Sequence, residues 1–374
     1  MAKKLPLKDK KESSLRTKLK ETTLLKPLPK QHLNFVSSGS WMLNLALTNN
    51  VDNGYPIGRV VNGIGSYSTG KTLLACEAVN SVWYDYHLEQ GKKVKIYYDE
   101  PEDAFDLDLA KEFNMPLEEI IGLKERLPDW KKTKDDFKAS KTIENVYTNI
   151  KQIVETESNK YDVILYILDS LDSVSDSREI KHINKKGVGA QDYGAGKPSV
   201  LSQMFRTCIQ AVNQSNVLFL ILSQVRSNIG VTFGPKLNRS GGHALDHYSS
   251  QIFWLYEKDK IEAANGINQG IEVEVNVDKN KTGSRYNKVR FDILHGYGID
   301  NLSSAVNFLW DNNGFEISGA YLTWVDGKKY YRSVLIEKAI NEPETAQQLK
   351  EILQNHWTKM IEEAAIKRPP KYGK

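Results

Sequence analysis

Gly65-Ser66-Tyr67-Ser68-Thr69-Gly70-Lys71-Thr72, preceded by the apolar run around Val60 and Val61, fits the phosphate-binding pattern G-x-x-x-x-G-K-[ST] in full. Glycine at these positions lets the backbone wrap a β-phosphate with successive N–H groups turned toward its oxygens. Lys71 then reaches the β- and γ-phosphates, and the Thr72 hydroxyl helps hold Mg²⁺. Arg59 to Ile64 reads as the strand that feeds this loop. Leu73 to Trp83 reads as the helix that leaves it, with an N-terminal dipole that favours the same anion. Strand, loop and helix in that order mark a nucleotide-binding chain.

Working outward, three more apolar runs end in polar residues. Val94 to Tyr98 ends in the acidic cluster Asp99, Glu100, Glu102 and Asp103, Val163 to Leu168 at Asp169-Ser170, and Val217 to Leu222 at Ser223-Gln224. Such continuous runs, separated by helical segments, predict parallel strands covered on both faces. Their carboxyl ends should converge beside the nucleotide, where open α/β sheets place ligands. Gly270 to Val277 and Lys288 to Leu294 alternate instead, as edge or antiparallel strands do. Ser37-Ser38-Gly39-Ser40 predicts a helix entry. Leu123 to Val154 is charged, helix-prone and reads as surface, while Gly187 to Pro198 and Arg226 to Gly242 read as loops. From Asn301 onward, short helices around a Tyr321–Tyr331 hairpin predict a separate small domain.

Asp169 stands where a carboxylate after an apolar strand meets the Mg²⁺ shell; its bland alternative is a helix cap. Hydrolysis also needs a carboxylate to orient or deprotonate water, and both Glu100 and Glu102 sit at a strand end suited to it. Gln224 is placed to sense a γ-phosphate through its amide, or simply to bond within the core.

Composition bounds the class. At 374 residues the chain exceeds one usual core; 40% hydrophobic and 26% charged residues describe an ordinary globular protein. No apolar run approaches the ~20 residues a membrane span requires. The lysine-rich start lacks an apolar signal core, so a cytoplasmic protein is expected. Cys76 and Cys208 match no metal spacing and read as reduced, buried thiols. The net charge of +4 is uneven: residues 1–30 carry ten Lys or Arg against Asp9, Glu12 and Glu21. A basic arm on a slightly acidic body suits nucleic acid, an acidic neighbour, or plain solvation.

Gln224-Val225-Arg226-Ser227-Asn228-Ile229-Gly230-Val231-Thr232-Phe233-Gly234, followed by Gly241-Gly242-His243-Ala244-Leu245, closely resembles the second DNA-binding loop of RecA recombinases. The resemblance continues in order through Ser38-Gly39-Ser40, Pro56-Ile57-Gly58-Arg59, the phosphate loop, Ala104-Phe105-Asp106, Leu168-Asp169-Ser170, Lys279-Asn280-Lys281 and Gly296-Tyr297-Gly298-Ile299. It implies an α/β fold: a RecA-like P-loop ATPase core with a mainly parallel central sheet over residues 34–300. A basic N-terminal arm, also an oligomerisation segment, would occupy 1–33, and a small α+β C-terminal domain 301–374.

By the same resemblance, ATP is held by Gly65 to Thr72 and by Asp106, and Mg²⁺ by Thr72 and Asp169. Glu102 is the better match to the catalytic glutamate, while one extra residue between Asp99 and Ala104 keeps Glu100 in contention. Gln224 would couple ATP to DNA, and Lys279 and Lys281 resemble the pair that reaches the ATP of an adjacent protomer. Lys197, Arg206 and Arg226 would add charge for the DNA backbone, and Asn228, Gly230, Gly241 and Gly242 would allow close approach. Ile229 and Phe233 would wedge between or stack on bases. Leu109 stands where many relatives have an adenine-stacking tyrosine, and Asp246-His247-Tyr248 departs from the usual basic-aromatic pair. With the basic arm and the insertion before Asp169, these departures look like a divergent phage or plasmid member.

The implied activity is a DNA-dependent ATPase that forms helical filaments on single-stranded DNA and pairs it with double-stranded DNA in recombination and repair. The alternatives are a helicase or loader on the same core, or a mediator that does not hydrolyse ATP.

Overall fold

The computed structural model describes residues 33–133, 136–186, 196–227, 237–239, 242–283 and 288–364. The chain divides into Met1–Asn34 and Phe35–Lys374, and every element below belongs to the second unit. Its strands are β1 (Phe35–Val36), β2 (Tyr55–Pro56), β3 (Val60–Gly65), β4 (Val94–Asp99), β5 (Ile120–Ile121), β6 (Val163–Leu168), β7 (Val217–Ser227), β8 (Leu237–Arg239), β9 (Gln251–Glu262), β10 (Asn268–Asn280), β11 (Lys288–Leu294) and β12 (Gly298–Asp300). A small sheet adds β13 (Glu316–Ser318), β14 (Tyr321–Thr323) and β15 (Lys329–Tyr330). The helices are α1 (Trp41–Thr48), α2 (Lys71–Asn80, extended by a π-helical stretch Ser81–Glu89), α3 (Leu107–Glu112), α4 (Ile143–Thr156), α5 (Ser177–Lys186), α6 (Gly196–Asn213), α7 (Gly242–Tyr248), α8 (Asn301–Asp311), α9 (Arg332–Asn341) and α10 (Pro343–Ala364).

The fold is α/β. The central sheet runs β12-β11-β10-β9-β3-β7-β6-β4-β5, with β8 paired to the far end of β7. From β5 to β9 neighbouring strands are parallel; β10, β11 and β12 continue as an antiparallel meander. All six residues of β3 and of β6 are buried, because hydrophobic clusters cover both faces of the sheet. One cluster joins the sheet to α1, α2 and the C-terminal helices, the other to α4 and α6. Register brings the carboxyl ends together: Gly65 lies opposite Gln224, and Asp99 opposite Leu168.

Local chemistry sets the boundaries. Ser40 caps α1, its Oγ accepting from Leu43 N at 3.3 Å, and Asn49 ends the helix at φ +62°. Both cysteines are free and buried, and burial pushes the Cys208 thiol up to about 11. Among the described residues no helix is long and apolar enough to cross a membrane.

Four expectations need correction. The segment expected to be helical from Leu123 to Val154 is helix only in α4, apart from one turn at Lys124–Arg126. Pro128 withholds a donor, and the Asp99 carboxylate accepts from Ser140 N at 2.7 Å and Ser140 Oγ at 2.6 Å, holding the chain away from helix. The second loop is shorter than Arg226 to Gly242, since Arg226 pairs with Asn238 in an antiparallel ladder and Gly242 opens α7. The first loop also ends early, because Gly196, Lys197 and Pro198 form the first turn of α6, where proline is tolerated. The C-terminal helices are not all short: α10 has 22 residues, with Leu349, Leu353 and Trp357 buried along one stripe.

The antiparallel register aligns Glu272, Asp292 and Asp300 across three neighbouring strands. Burial, then Asp300 and Glu272, raise the Asp292 carboxyl to about 6. The folded chain therefore holds this proton above the pH at which the unfolded chain loses it. The contribution of Asp292 to stability falls as pH rises from about 4 to 6 and is level above that. Asp292→Asn should remove this slope and raise stability at pH 7 by on the order of 2 kcal/mol, read from urea titrations at several pH values.

Candidate active site

The phosphate loop leaves β3 at Gly65 and enters α2 at Lys71. A Cβ at Gly65 would sit 2.3 Å from Thr69 Oγ1. At Gly70 the backbone is left-handed (φ +86°), and a Cβ would meet Ile293 Cδ1 at 2.4 Å. Gly70→Ala is therefore expected to cost about 1–3 kcal/mol in backbone strain and to weaken nucleotide binding, measurable by unfolding and by ATP titration. Within the loop, Thr69 Oγ1 donates to Ser66 O at 3.0 Å and Lys71 Nζ donates to the same carbonyl at 2.5 Å. Lys71 is buried, which pulls its pKa down; Asp169, Asp172 and Glu102 oppose that shift. Tyr67 points into solvent at 91% exposure.

Asp169 follows β6 directly. Thr72 Oγ1 donates to its Oδ2 at 2.9 Å, and Tyr98 OH donates to the same oxygen at 2.8 Å. Burial raises the Asp169 pKa against these two hydrogen bonds, and Glu100 adds to the rise while Lys71 lowers it. A hydroxyl and a carboxylate at hydrogen-bond distance beside a phosphate loop fit a small divalent cation that takes its other ligands from phosphate and water.

The two glutamates after β4 have different surroundings. Glu100 is 4% exposed and its Oε2 accepts from Arg126 Nη2 at 2.7 Å; its carboxylate also accepts from Ala104 N at 3.2 Å. Glu102 is exposed, and its Oε1 accepts from Ser170 Oγ at 3.1 Å and from Ser173 Oγ. Glu102 thus faces the turn after Asp169, whereas Glu100 is committed to a buried ion pair.

Asp172 bridges two elements. Its Oδ2 accepts from Gln224 N at 2.6 Å, while Lys197 Nζ donates to Leu171 O at 2.7 Å and Asp172 O at 3.3 Å. Lys197 is therefore bonded to the turn after β6 from the start of α6. Arg206 is exposed on α6. Asp106 caps α3, its Oδ1 accepting from Asp108 N at 2.9 Å and Leu109 N at 3.2 Å. Lys279 Nζ donates to His247 O at 2.9 Å and to Asp246 O, the negative end of the α7 dipole. Lys281 is exposed just beyond β10, its N–H bonded to Ser250 O at 2.8 Å. Asn228, Ile229, Gly230, Phe233 and Gly241 lie outside the described residues.

Sequence reasoning missed Tyr98, Arg126, Ser173 and Asp172, and gave Ser170 no role of its own beyond its place after Asp169. Tyr98 is the last apolar position of its run and carries no polar signal there. The others belong to no recognisable spacing.

The family described as the RecA N-terminal domain matches residues 22–300 of this chain. The chain is similar to Protein RecA, chromosomal, of Lactococcus lactis subsp. lactis, with 28% identity over 302 residues, covering 80% of this chain and 69% of that protein. Against Protein RecA of Halalkalibacterium halodurans the identity is 26% over 333 residues, covering 87% and 84% of the two chains. Against Protein RecA of a Wolbachia sp. it is 26% over 344 residues, covering 90% and 86%.

Proposed function

This chain belongs to the RecA family, and from that membership we propose that it is an ATP-dependent recombination protein that assembles on single-stranded DNA and promotes pairing with a homologous duplex. The observation that carries the ATPase part is the convergence on one phosphate loop of Lys71, the Thr72–Asp169–Tyr98 hydrogen bonds, and Glu102 held toward the same strand end.

When bound, Mg²⁺ with ATP would supply charge neutralisation at the phosphates, held by the Thr72 hydroxyl and the Asp169 carboxylate. Tyr98 keeps the Asp169 carboxylate turned toward Thr72. Lys71 binds phosphate oxygen in exchange for the Ser66 carbonyl. Glu102 accepts the proton of the attacking water, or orients that water, from its exposed position. The Gln224–Asp172–Lys197 connection ties Gln224 of β7, level with the end of β3, to the first turn of α6. That is a physical route by which nucleotide at the strand ends is coupled to DNA at the following segments, with Arg206, Arg226 and residues 228–242 as the proposed DNA contacts. Lys279 and Lys281 are proposed to complete the transition-state charge in a neighbouring protomer, so that hydrolysis waits for assembly. The division into an arm (1–33), a core (34–300) and a C-terminal domain (301–374) belongs to the same proposal.

The test is steady-state ATP hydrolysis with and without single-stranded DNA, using Lys71→Ala as the blank. Turnover that rises with DNA, and rises cooperatively with protein concentration, supports the reading. Turnover indifferent to DNA removes its mechanism, and no turnover in the unaltered chain removes the ATPase itself.

A further inference from the structure

We propose that Arg126 is a positioning residue for Glu102: it holds Glu100 at the start of the turn 100–104, whose carboxylate in turn holds Ala104 at its end, and so fixes the direction in which the Glu102 carboxylate faces. The inference rests on the ATPase reading above and deepens it. One guanidinium nitrogen, Arg126 Nη2, donates to Glu100 Oε2 at 2.7 Å and to the Glu100 carbonyl at 3.1 Å, and lies 3.2 Å from Asp103 Oδ1. The Glu100 carboxylate in turn accepts from Ala104 N at 3.2 Å. Residues 100 and 104 are thereby joined through one carboxylate, and the intervening turn carries Glu102 at its middle, bonded outward to Ser170 and Ser173.

The members of this clamp differ in strength. Glu100 has a side chain 6% exposed and Arg126 one 19% exposed, so their pair is shielded from solvent and salt. Asp103 is 84% exposed, and its contact adds little. The clamp is itself anchored. Arg126 ends a helical turn whose N–H bonds Leu123 O at 2.9 Å, Leu123 is fully buried, and β5 just before it pairs with β4. On the other side the end of β4 is held by Asp99, which accepts from Ser140 and Tyr166. A shielded guanidinium nitrogen that bonds the first residue of the turn twice removes backbone freedom there before substrate arrives.

Arg126→Lys keeps the charge, but its side chain ends one bond short of the Nη2 position, so the ammonium cannot keep both bonds to Glu100. It is expected to lower kcat for ATP hydrolysis by about 10- to 100-fold, as a carboxylate displaced by about 1 Å would, while KM for ATP and equilibrium binding of a non-hydrolysable ATP analogue stay within about threefold. Combined with Glu102→Gln, Arg126→Lys should cost nothing further in kcat, because it acts only through Glu102. A general loss of structure would instead add in the double variant and weaken analogue binding. Wild-type kcat in Arg126→Lys overturns the proposal, and so does full additivity with Glu102→Gln. Arg126→Gln paired with Glu100→Gln removes both charges together, which guards against a buried unpaired carboxylate. If it melts as the wild type does yet hydrolyses at the wild-type rate, the proposal also fails. An unaltered chain that does not exceed Lys71→Ala in turnover sinks the ATPase reading itself, a result distinguishable from all of these.

Discussion

Glu102→Gln is expected to lower kcat for ATP hydrolysis by about 10²–10⁴-fold, the usual worth of a positioned general base, with nucleotide affinity nearly unchanged. On the proposed reading, affinity is carried elsewhere, by the loop backbone, Lys71, Thr72 and Asp169. Glu100→Gln has a different expected signature. It strips the counter-charge from Arg126, whose side chain is largely buried, so the loss is chiefly of stability, about 3 kcal/mol. A smaller fall in kcat would follow through the shared turn. Rapid-quench hydrolysis and urea unfolding on both variants separate the two cases. If Glu100→Gln abolishes turnover without loss of stability and Glu102→Gln does not, the assignment of the two residues is reversed.

Trp357→Ala carries the largest expected effect on stability, about 3–5 kcal/mol. Trp357 is fully buried on α10, packs its ring 5.7 Å from that of Phe308, and donates Nε1–H to Asn49 Oδ1 at 3.0 Å. Gln354, one turn earlier, donates to Asn49 O at 3.0 Å and accepts from Val51 N at 2.8 Å. Truncating the ring leaves a cavity beneath the end of α1 and strands an amide oxygen that had a buried partner. Trp357→Phe keeps most of the apolar volume and should recover more than half of the loss in a urea titration. Because α1 and α2 contribute to the same hydrophobic cluster, the alanine variant should also inactivate at a lower temperature.

Much of the core was legible in the sequence because it is written in short-range patterns. The glycines and lysine of residues 65–72 state a loop conformation directly, and β3, β4, β6 and the first half of β7 appear as apolar runs because both their faces are covered. The alternation of Ile271, Val273, Val275 and Val277 marked β10 by the complementary rule, apolar side chains on alternate positions turned to one covered face. Local patterns also misled. Lys197 and its glycine neighbours have loop composition, yet the segment continues as helix from Gly196, and the charged stretch before Ile143 has helical propensity but gives up helix to satisfy Asp99.

By itself, the sequence determined a nucleotide-binding α/β chain with a phosphate loop, and it singled out Asp169 after one strand and Glu100 and Glu102 after another as candidate carboxylates. Which glutamate faces the site was decided by tertiary structure. Arg126, 26 residues away, captures Glu100, while the turn after Asp169 receives Glu102. The alignment of Asp169 depends likewise on Tyr98, 71 residues earlier and adjacent only once β4 and β6 pair. Propensity and periodicity act over a few residues and fix elements. The direction of a carboxylate is set by the partners that satisfy it, and those are brought within reach only when the sheet assembles.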